Sequence, residues 1–293
     1  MRGWVGYLFF RFDVWFANRR ANKYSSRQLG ASVHSDSFWD HCIDQTALQD
    51  IPQLVQYVLD ITEHSRLIYL GFSQGTAEGL AAVALKHGLN NRIAALVCLA
   101  PLARPKIIPN QLVQNLIHTS PSLLFLLFGR REFLSVTDFW REVLSPAAYV
   151  RLLDFAMWWL LGWRNENIDP SDKTVLYPHL YSYTSTKMIV HWFQVMRRSR
   201  FQMFDEDSGL GGVGHIPPSI PIAQIRTPII LFSGGADTLA DENYIMERCH
   251  SNILEHHHIP HYGHLDFLWA RDLKEVFLPL LHKSLHRCCN KRP

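Results

Sequence analysis

The sequence predicts an α/β protein whose parallel sheet is interrupted by a helical insertion. Short apolar runs alternate with amphipathic segments over the first 101 residues, the alternation disappears from 102 to 221, and it resumes at Thr227. Alternating strands and helices imply a parallel sheet with right-handed crossovers. The middle segment carries Leu, Trp and Phe at helical spacing. We therefore divide the chain into a first core part at 1–101, a helical cap at 102–221 and a second core part at 222–293.

Each predicted element follows from its apolar pattern and its flanking residues. The segment from Ala47 carries Ile51, Leu54, Val55 and Val58 at helical spacing, whereas RLIYLGF and IAALVCLA are short apolar runs bounded by charges or turn residues. In chain order, the predicted elements are a strand at Phe9–Phe16, a helix at Ala47–Glu63, a strand at Arg66–Phe72, a helix at Thr76–His87, a strand at 93–100, a strand from Thr227, a helix at Glu242–Cys249, a strand at Ile253–Ile259 and a helix at Asp272–Leu285.

Composition and charge exclude some classes of function. The chain has 293 residues, a formal net charge of only +3 and scattered basic residues, which argues against a nucleic-acid partner. Its five cysteines are odd in number and show no C-x-x-C spacing, so we expect reduced thiols. Neither a signal peptide nor an N-x-S/T acceptor is recognised, which favours an intracellular location.

Two apolar runs, Leu123–Phe128 and Phe155–Trp163, resemble parts of membrane helices. Both are far shorter than the roughly 20 residues that a spanning helix needs, so neither is expected to cross a membrane. Two interpretations remain open. Either the runs form helices that lie against an apolar phase, or they are core helices of the insertion.

The segment GFSQG, residues 71–75, follows the predicted strand RLIYL and precedes a long run of helix formers. A five-residue G-x-S-x-G pattern is weak evidence alone, but a strand before it and a helix after it are the setting of a nucleophile elbow. Gly71 and Gly75 are expected to keep Cβ atoms out of a crowded turn. The pattern therefore predicts Ser73 as a nucleophile.

A nucleophilic serine needs a histidine base and a carboxylate that orients the base. Asp237 follows the strand PIILFSGGA, where an acid is expected on this architecture, and Asp241 is a rival four residues further on. His264 follows Tyr262-Gly263 on the loop before the last helix and is predicted as the base, with a capping or surface histidine as the structural alternative.

The histidine-rich segment EHHHIPHYGH also allows a second interpretation. His256, His258 and His261 have spacings that could suit a metal ion. No further carboxylate or thiolate group is organised around them, so no metal site is predicted.

The chain resembles the acid lipase family of the α/β-hydrolase superfamily, which contains gastric and lysosomal acid lipases and fungal steryl ester hydrolases. The resemblance rests on these segments, in order: FDVWFANRRANKYS at 12–25, DIPQLVQYVL, GFSQGTAEG at 71–79, TSTKMIVHWFQ at 184–194, SGGADTLAD at 233–241 and YGHLDFLWA at 262–270. GFSQG and NKYS favour the fungal branch. The resemblance implies a catalytic triad of Ser73, Asp237 and His264, an oxyanion donor at the backbone N–H of Gln74, a cap over an acyl-chain pocket, and no metal or organic cofactor.

Two departures from the family pattern stand out. Ala21 replaces the glycine of the N-x-R-G-N motif, a residue type that tolerates positive φ. The family also has a His-Gly motif upstream of Asp13-Val14-Trp15 that supplies a second oxyanion donor, and the first residues of this sequence lie after that point. We therefore expect an N-terminally incomplete α/β-hydrolase sheet with an uncovered edge. His87-Gly88 is expected on the wrong loop, and loss of one oxyanion donor typically costs about 10²- to 10³-fold in rate.

The resemblance implies an ester hydrolase for water-insoluble lipid esters, with steryl esters first and triacylglycerols second. Cap aromatics suit a long apolar substrate or a packed cap interior; they are Trp158, Trp159, Trp163, Trp192 and Phe193. The alternative is a truncated, weakly active or inactive lipase-like protein that binds lipid or a lipid surface. We expect the protein to be intracellular and in peripheral contact with a membrane or lipid droplet. If a signal lies upstream of this sequence, a lysosomal, vacuolar or secreted location is expected instead.

Overall fold

The structure is a computed structural model that describes residues 12–25, 27, 30, 32–133, 136–206 and 216–290. Its centre is a four-stranded sheet that helices cover on both faces. The elements in chain order are α1 (Asp36–Trp39), α2 (Ile43–Gln45), α3 (Ile51–Thr62), β1 (Leu67–Phe72), α4 (Gln74–Leu85), β2 (Ile93–Leu99), α5 (Gln111–His118), α6 (Pro121–Phe128), β3 (Glu132–Phe133), α7 (Val136–Val143), α8 (Pro146–Leu161), α9 (Pro170–Leu176), β4 (Thr184–Ser185), α10 (Thr186–Arg198), β5 (Ile229–Gly234), α11 (Glu242–Cys249), β6 (Ile253–Ile259), α12 (Asp266–Trp269) and α13 (Phe277–Asn290).

The sheet has the strand order β1-β2-β5-β6, and every neighbouring pair is parallel. Strands β2 and β5 lie in the middle and are almost completely buried, whereas most residues of β1 are half-buried. Because parallel strands end at the same edge of a sheet, the loops after β1, β5 and β6 meet there. These three loops carry Ser73, Asp237 and His264.

Residues along the central strands alternate between two cores. Leu96 and Leu231 point into a core formed with α3, α4 and α11, whereas Leu99 and Phe232 point into a second core with α12 and α13. This alternation is the period-2 pattern of a strand that is buried on both faces.

Helices α5 to α10 fill the segment between β2 and β5, together with the short antiparallel pair β3 and β4. Tyr149, Leu153 and Met157 of α8 are buried in a core of their own with Trp163 and Tyr177. The helical content agrees with the expected insertion, and the exact limits at 102 and 221 stay a prediction.

The two apolar runs of the insertion turn out to be two-sided helices. Leu124 of α6 and Met157 of α8 are buried, while Leu126 is 80% exposed and Phe155 is 58% exposed. Each helix therefore buries one face in the cap and exposes apolar side chains on the other, and contact of the exposed face with an apolar phase stays a prediction. Within the described ranges, every helix is too short or too polar to cross a membrane.

Several predicted elements agree with the structure, and others need correction. The helix Glu242–Cys249 and the strand Ile253–Ile259 have the predicted limits. The helix predicted at Asp272–Leu285 begins at Phe277, because residues 271–276 form turns. The strand predicted at Phe9–Phe16 is wrong where it can be compared: residues 9–11 lie outside the described ranges, and 12–16 form no strand. Phe12 and Val14 alternate into the core beside α13, so the period-2 pattern reflects side-chain packing without backbone pairing.

Ala21, which stands where the family motif has glycine, has a positive φ. Its φ is 61°, and its methyl group is 2% exposed within a small core formed with Phe38 and Trp39. Burial of this methyl group offsets part of the strain that a left-handed conformation imposes on a residue with a Cβ.

Candidate active site

Ser73 lies at the sharp turn between β1 and α4. Its φ of 52° and ψ of −115° fall outside the usual regions for residues with a side chain, as expected at a nucleophile elbow. A Cβ on Gly71 would lie 2.6 Å from the carbonyl oxygen of Gly75, so glycine is required at 71. A Cβ on Gly75 would meet no atom within 4 Å beyond its own helix and its chain neighbours. The expectation that Gly75 relieves crowding is therefore wrong, because its Cα faces open space.

The structure brings the three predicted triad residues together. His264 Nε2 lies 2.7 Å from Ser73 Oγ, and His264 Nδ1 lies 2.8 Å from Asp237 Oδ2. Asp237 is 3% exposed and His264 is 2% exposed, whereas Ser73 is half-buried and more accessible. A buried base between a hydroxyl and a carboxylate can accept the hydroxyl proton while the carboxylate holds the other ring nitrogen protonated.

The Asp237 carboxylate is fixed by its own loop as well as by the imidazole. Its Oδ1 accepts hydrogen bonds from the backbone N–H groups of Leu239, at 2.8 Å, and Ala240, at 3.0 Å. Burial raises the pKa of Asp237, but the charge and hydrogen bond of His264 and the two backbone donors outweigh it, so the net pKa is lowered. The residue is therefore an anion at neutral pH.

Close backbone packing aligns the acid loop with the histidine loop. A Cβ on Gly234 would lie 2.2 Å from the carbonyl oxygen of Tyr262, and the N–H of Ala236 donates to that same oxygen at 3.0 Å. Only glycine permits this approach. The contact joins the ends of β5 and β6, three residues before Asp237 and two residues before His264.

Asp241, the rival acid, does not face the imidazole. Its Oδ2 accepts a hydrogen bond from Arg104 Nε at 3.0 Å and a second, shorter one from the same guanidinium. The geometry therefore selects Asp237 as the partner of His264.

The three histidines with ligand-like spacing do not form one group. Ser233 Oγ lies 2.8 Å from His256 Nε2 and 3.1 Å from His258 Nδ1, whereas the His261 ring pairs with Asp272 at 2.8 Å. His261 follows the end of β6 and turns away from the other two rings.

A different group, Cys42, Asp44 and His191, is the set of described side chains whose spacing suits a metal ion. Burial raises the pKa of the Cys42 thiol, and its S–H donates to Gln45 Oε1, which is the behaviour of a protonated thiol. His191 Nε2 hydrogen-bonds the carbonyl of Gln202 at 2.9 Å. None of these hydrogen bonds reaches the triad.

Gln74, the predicted oxyanion donor, is the first residue of α4. The first N–H groups of a helix have no intrahelical acceptor, so this N–H is available beside Ser73. The Gln74 side chain is held on both sides, by Glu78 at 2.7 Å and by the indole N–H of Trp192 at 3.1 Å. Burial raises the pKa of Glu78, and the Arg19 guanidinium at 3.1 Å opposes the rise. The role of Gln74 stays a prediction.

His87 and Gly88 lie in a 3₁₀ turn after the far end of α4. A helix of that length places them roughly 18 Å from Ser73. They therefore cannot contribute to an oxyanion hole at Ser73, in agreement with the expectation that this His-Gly pair lies on the wrong loop.

One neighbour of His264 was named from the sequence only as a cap aromatic. The Trp163 indole stacks on the His264 imidazole with ring centroids 4.5 Å apart and an interplanar angle of 17°. Phe72 also contacts the imidazole, at 5.3 Å and a tilt of 52°. Sequence reasoning missed the stacking because Trp163 belongs to the insertion and meets the core only through tertiary packing.

The fold and the site define a class of protein. Parallel strands end in a serine elbow, an aspartate turn and a histidine loop in that chain order, which is the arrangement of α/β hydrolases.

Comparisons with known proteins agree. The model of the alpha/beta hydrolase fold family matches residues 2–271. A protein named as a probable lipase in Schizosaccharomyces pombe is 38% identical over 94% of this chain and 59% of its own length. Human gastric triacylglycerol lipase is 31% identical over 91% of this chain and 69% of its own length. The lysosomal acid lipase/cholesteryl ester hydrolase of Macaca fascicularis is 30% identical over 89% and 68%. The chain therefore belongs to the α/β-hydrolase family, as a relative of the acid lipases.

A solved structure supports the fold alone. The monoglyceride lipase of Saccharomyces cerevisiae aligns with a TM-score of 0.51 at 16% sequence identity, over 88% of this chain and 74% of that one. This chain spans 59% of the length of the S. pombe relative.

Proposed function

We propose that this protein is a serine ester hydrolase that acts on water-insoluble lipid esters. The observation that carries the proposal is the position of His264, whose two ring nitrogens lie 2.7 Å from Ser73 Oγ and 2.8 Å from Asp237 Oδ2. This constellation activates a serine for acyl transfer.

In the proposed reaction, Ser73 Oγ attacks the ester carbonyl carbon as its proton passes to His264 Nε2. Asp237 stabilises the imidazolium and keeps Nδ1 protonated. The Gln74 N–H donates to the developing oxyanion. The tetrahedral intermediate then expels the alcohol oxygen, which takes the proton from His264. A water molecule, deprotonated by His264, attacks the acyl-enzyme; the second tetrahedral intermediate then expels Ser73 Oγ, which takes the proton back from His264, and the fatty acid is released.

Steryl esters are the proposed first substrate and triacylglycerols the second. The names of two relatives, a gastric triacylglycerol lipase and a lysosomal acid lipase/cholesteryl ester hydrolase, support lipid esters as the substrate class. Trp163 stacks on His264 and Trp192 hydrogen-bonds the Gln74 side chain, so two aromatic side chains lie beside the site, in keeping with an apolar substrate.

Intact-mass labelling with a fluorophosphonate probe tests the proposal. We expect one probe adduct on the wild-type protein and none on Ser73→Ala, because the probe reacts only with an activated serine. Assays with cholesteryl oleate and triolein emulsions then rank the two substrates. A folded wild-type protein that takes up no probe would rule out the serine hydrolase and leave a lipid-binding relative of lipases.

We also propose that the cap contacts a membrane or lipid-droplet surface inside the cell. Four apolar side chains on the outer face of α8 support this: Leu152 is 37% exposed, Phe155 58%, Trp158 52% and Trp159 48%. Trp and Phe at this spacing form the kind of helix face that inserts into an interface.

A further inference from the structure

A segment of the cap, Leu161–Ile168, clasps both loops that carry the acid and the base. We call it the clasp. On the acid side, Thr238, the residue after Asp237, donates its hydroxyl to the Leu161 carbonyl at 2.6 Å. The clasp is therefore joined to the loop that holds Asp237.

On the base side, the clasp is anchored around His264. Asn167 Nδ2 donates to the carbonyl of His261 at 2.7 Å and to Asp266 Oδ2 at 2.8 Å. The Arg271 N–H donates to the Asn167 carbonyl at 2.9 Å, and Ile168 forms an antiparallel bridge with Ala270. These contacts flank the histidine loop on both sides of His264.

Trp163 lies between these two anchor points. Gly162, with a φ of 76°, ends α8 in the left-handed conformation and turns the chain, so that the next side chain lies flat on the His264 ring. Trp163 is 9% exposed, and its indole N–H has no acceptor among the described residues although it is buried. A buried donor without a partner is unfavourable. Hydrogen bonding by the indole therefore does not explain why a tryptophan stands at position 163.

The stacking geometry has two physical consequences for the base. The hydrogen bonds to Ser73 and Asp237 lie in the imidazole plane and leave its two faces unconstrained. Trp163 covers one face of the ring and Phe72 contacts it at a tilt, so both side chains restrict movement of the ring out of the plane that joins its two partners. An indole face also attracts a cation above it, most strongly when water is excluded, and the imidazole becomes a cation as Ser73 loses its proton.

We propose that Trp163 is a positioning residue, which holds the His264 imidazole between Ser73 and Asp237 and stabilises the imidazolium that forms during acylation. This inference rests on the proposed serine hydrolase function. It makes the cap a part of the catalytic geometry as well as a cover for the substrate.

Steady-state kinetics on a water-soluble butyrate ester test the proposal, with Trp163→Leu, Trp163→Met and Trp163→Phe compared with wild type. Leu and Met keep the site apolar without an aromatic face, whereas Phe keeps one, and all three are smaller than Trp. We expect Leu and Met to lower kcat about tenfold with KM changed less than about twofold, and Phe to stay within about threefold of wild type. Trp15→Leu is the control, because Trp15 is 42% exposed and lies beside Tyr57, away from the triad.

The outcomes separate the two proposals. If wild type takes up no fluorophosphonate at Ser73, the serine hydrolase itself is wrong and this inference falls with it. If wild type is labelled and active, and both Leu and Met keep wild-type kcat, Trp163 does not position the base. Equal losses in Phe, Leu and Met would also overturn the proposal, because they would show that volume rather than the aromatic face is needed. Thermal unfolding identifies a variant that is not folded, and the two apolar variants provide independent tests.

Discussion

At Asp237, two backbone N–H groups and one imidazole share a single buried carboxylate. Asp241 differs from Asp237 in its partner, because its carboxylate accepts a hydrogen bond from Arg104 and does not contact the imidazole. The chemistry therefore depends on which of two neighbouring aspartates the histidine contacts.

We expect Asp237→Asn to lower kcat about 10⁴-fold and Asp241→Asn to change it less than about tenfold. An asparagine at 237 favours the wrong imidazole tautomer, whereas the loss at 241 breaks an ion pair that does not touch the base. Hydrolysis of a soluble ester by both variants is the measurement. Equal losses in the two variants would contradict the assignment of Asp237.

Glu63 and Ala21 both have positive φ, but one is exposed and the other is buried, so they show separately what backbone strain and side-chain burial contribute to stability. Glu63 has a φ of 56° at the exposed end of α3, and Ala21 has a φ of 61° with a buried methyl group. Glycine relieves about 1–2 kcal/mol of strain at either position and costs about 0.5–1 kcal/mol in chain entropy. At Ala21 it also removes a buried methyl group worth about 0.8 kcal/mol.

We therefore expect Glu63→Gly to raise the free energy of unfolding by about 0.5–1 kcal/mol and Ala21→Gly to leave it nearly unchanged. Urea unfolding followed by tryptophan fluorescence measures both. A clear gain at Ala21 would mean that the methyl group contributes less to the small core around Phe38 and Trp39 than its burial implies.

At the scale of one element, the turn from β1 to α4 depends on one of its two glycines. Gly71→Ala places a methyl group against backbone atoms that cannot move aside, whereas Gly75→Ala adds one in open space. We expect Gly71→Ala to destabilise the protein by about 3 kcal/mol and to lower kcat at least about 100-fold. Gly75→Ala should stay within about 1 kcal/mol of wild type and remain reactive with a fluorophosphonate.

Labelling rate and thermal midpoint of the two glycine variants are the measurements. The pair is matched, since the substitution is the same and the sites are four residues apart. A labile Gly75→Ala protein beside an intact Gly71→Ala protein would reverse our interpretation of this turn.

At the scale of the whole molecule, we predict that the apolar outer face of the cap binds lipid surfaces. We expect the triple variant Phe155→Ser/Trp158→Ser/Trp159→Ser to bind phosphatidylcholine vesicles about tenfold more weakly, or weaker still. Each substitution removes an apolar side chain whose burial in the bilayer contributes on the order of 1–2 kcal/mol to the binding free energy. The variants are made in Ser73→Ala protein so that no lipid is hydrolysed, and vesicle flotation measures the bound fraction.

The control is Tyr57→Ser/Ile61→Ser on α3, where the two apolar side chains are 58% and 57% exposed. This pair has similar exposure on a helix outside the cap, and its binding should stay near wild type. Equal loss of binding in both variants would place the lipid contact elsewhere or show that it is not specific to the cap.

Local patterns in the sequence predicted the strands and helices of the core and the residues around which the site forms. The elbow motif, the acid after β5 and the histidine after β6 were readable because each lies where a strand ends, and parallel strands end at one edge. The resemblance to acid lipases added the expected oxyanion donor at Gln74 and marked Ala21 as a departure from the family's glycine. Hydrophobic alternation misled at 12–16, because side-chain packing without backbone pairing has the same period as a strand.

Tertiary structure alone decided which aspartate meets His264, that Gly75 faces open space while Gly71 does not, and that Trp163 stacks on the base. The first and the last depend on contacts between segments far apart in the chain, whereas the difference between the two glycines comes from the three-dimensional shape of the elbow, since a Cβ on Gly71 would meet Gly75 and Thr76. The sequence by itself therefore determined the elements and the chemical groups that they carry, because residue types and their period act locally. Only the packing of the sheet against the cap brings the loops and the clasp together. Contacts between segments that are remote in the sequence leave no pattern in the local residue types, so the sequence alone does not predict them.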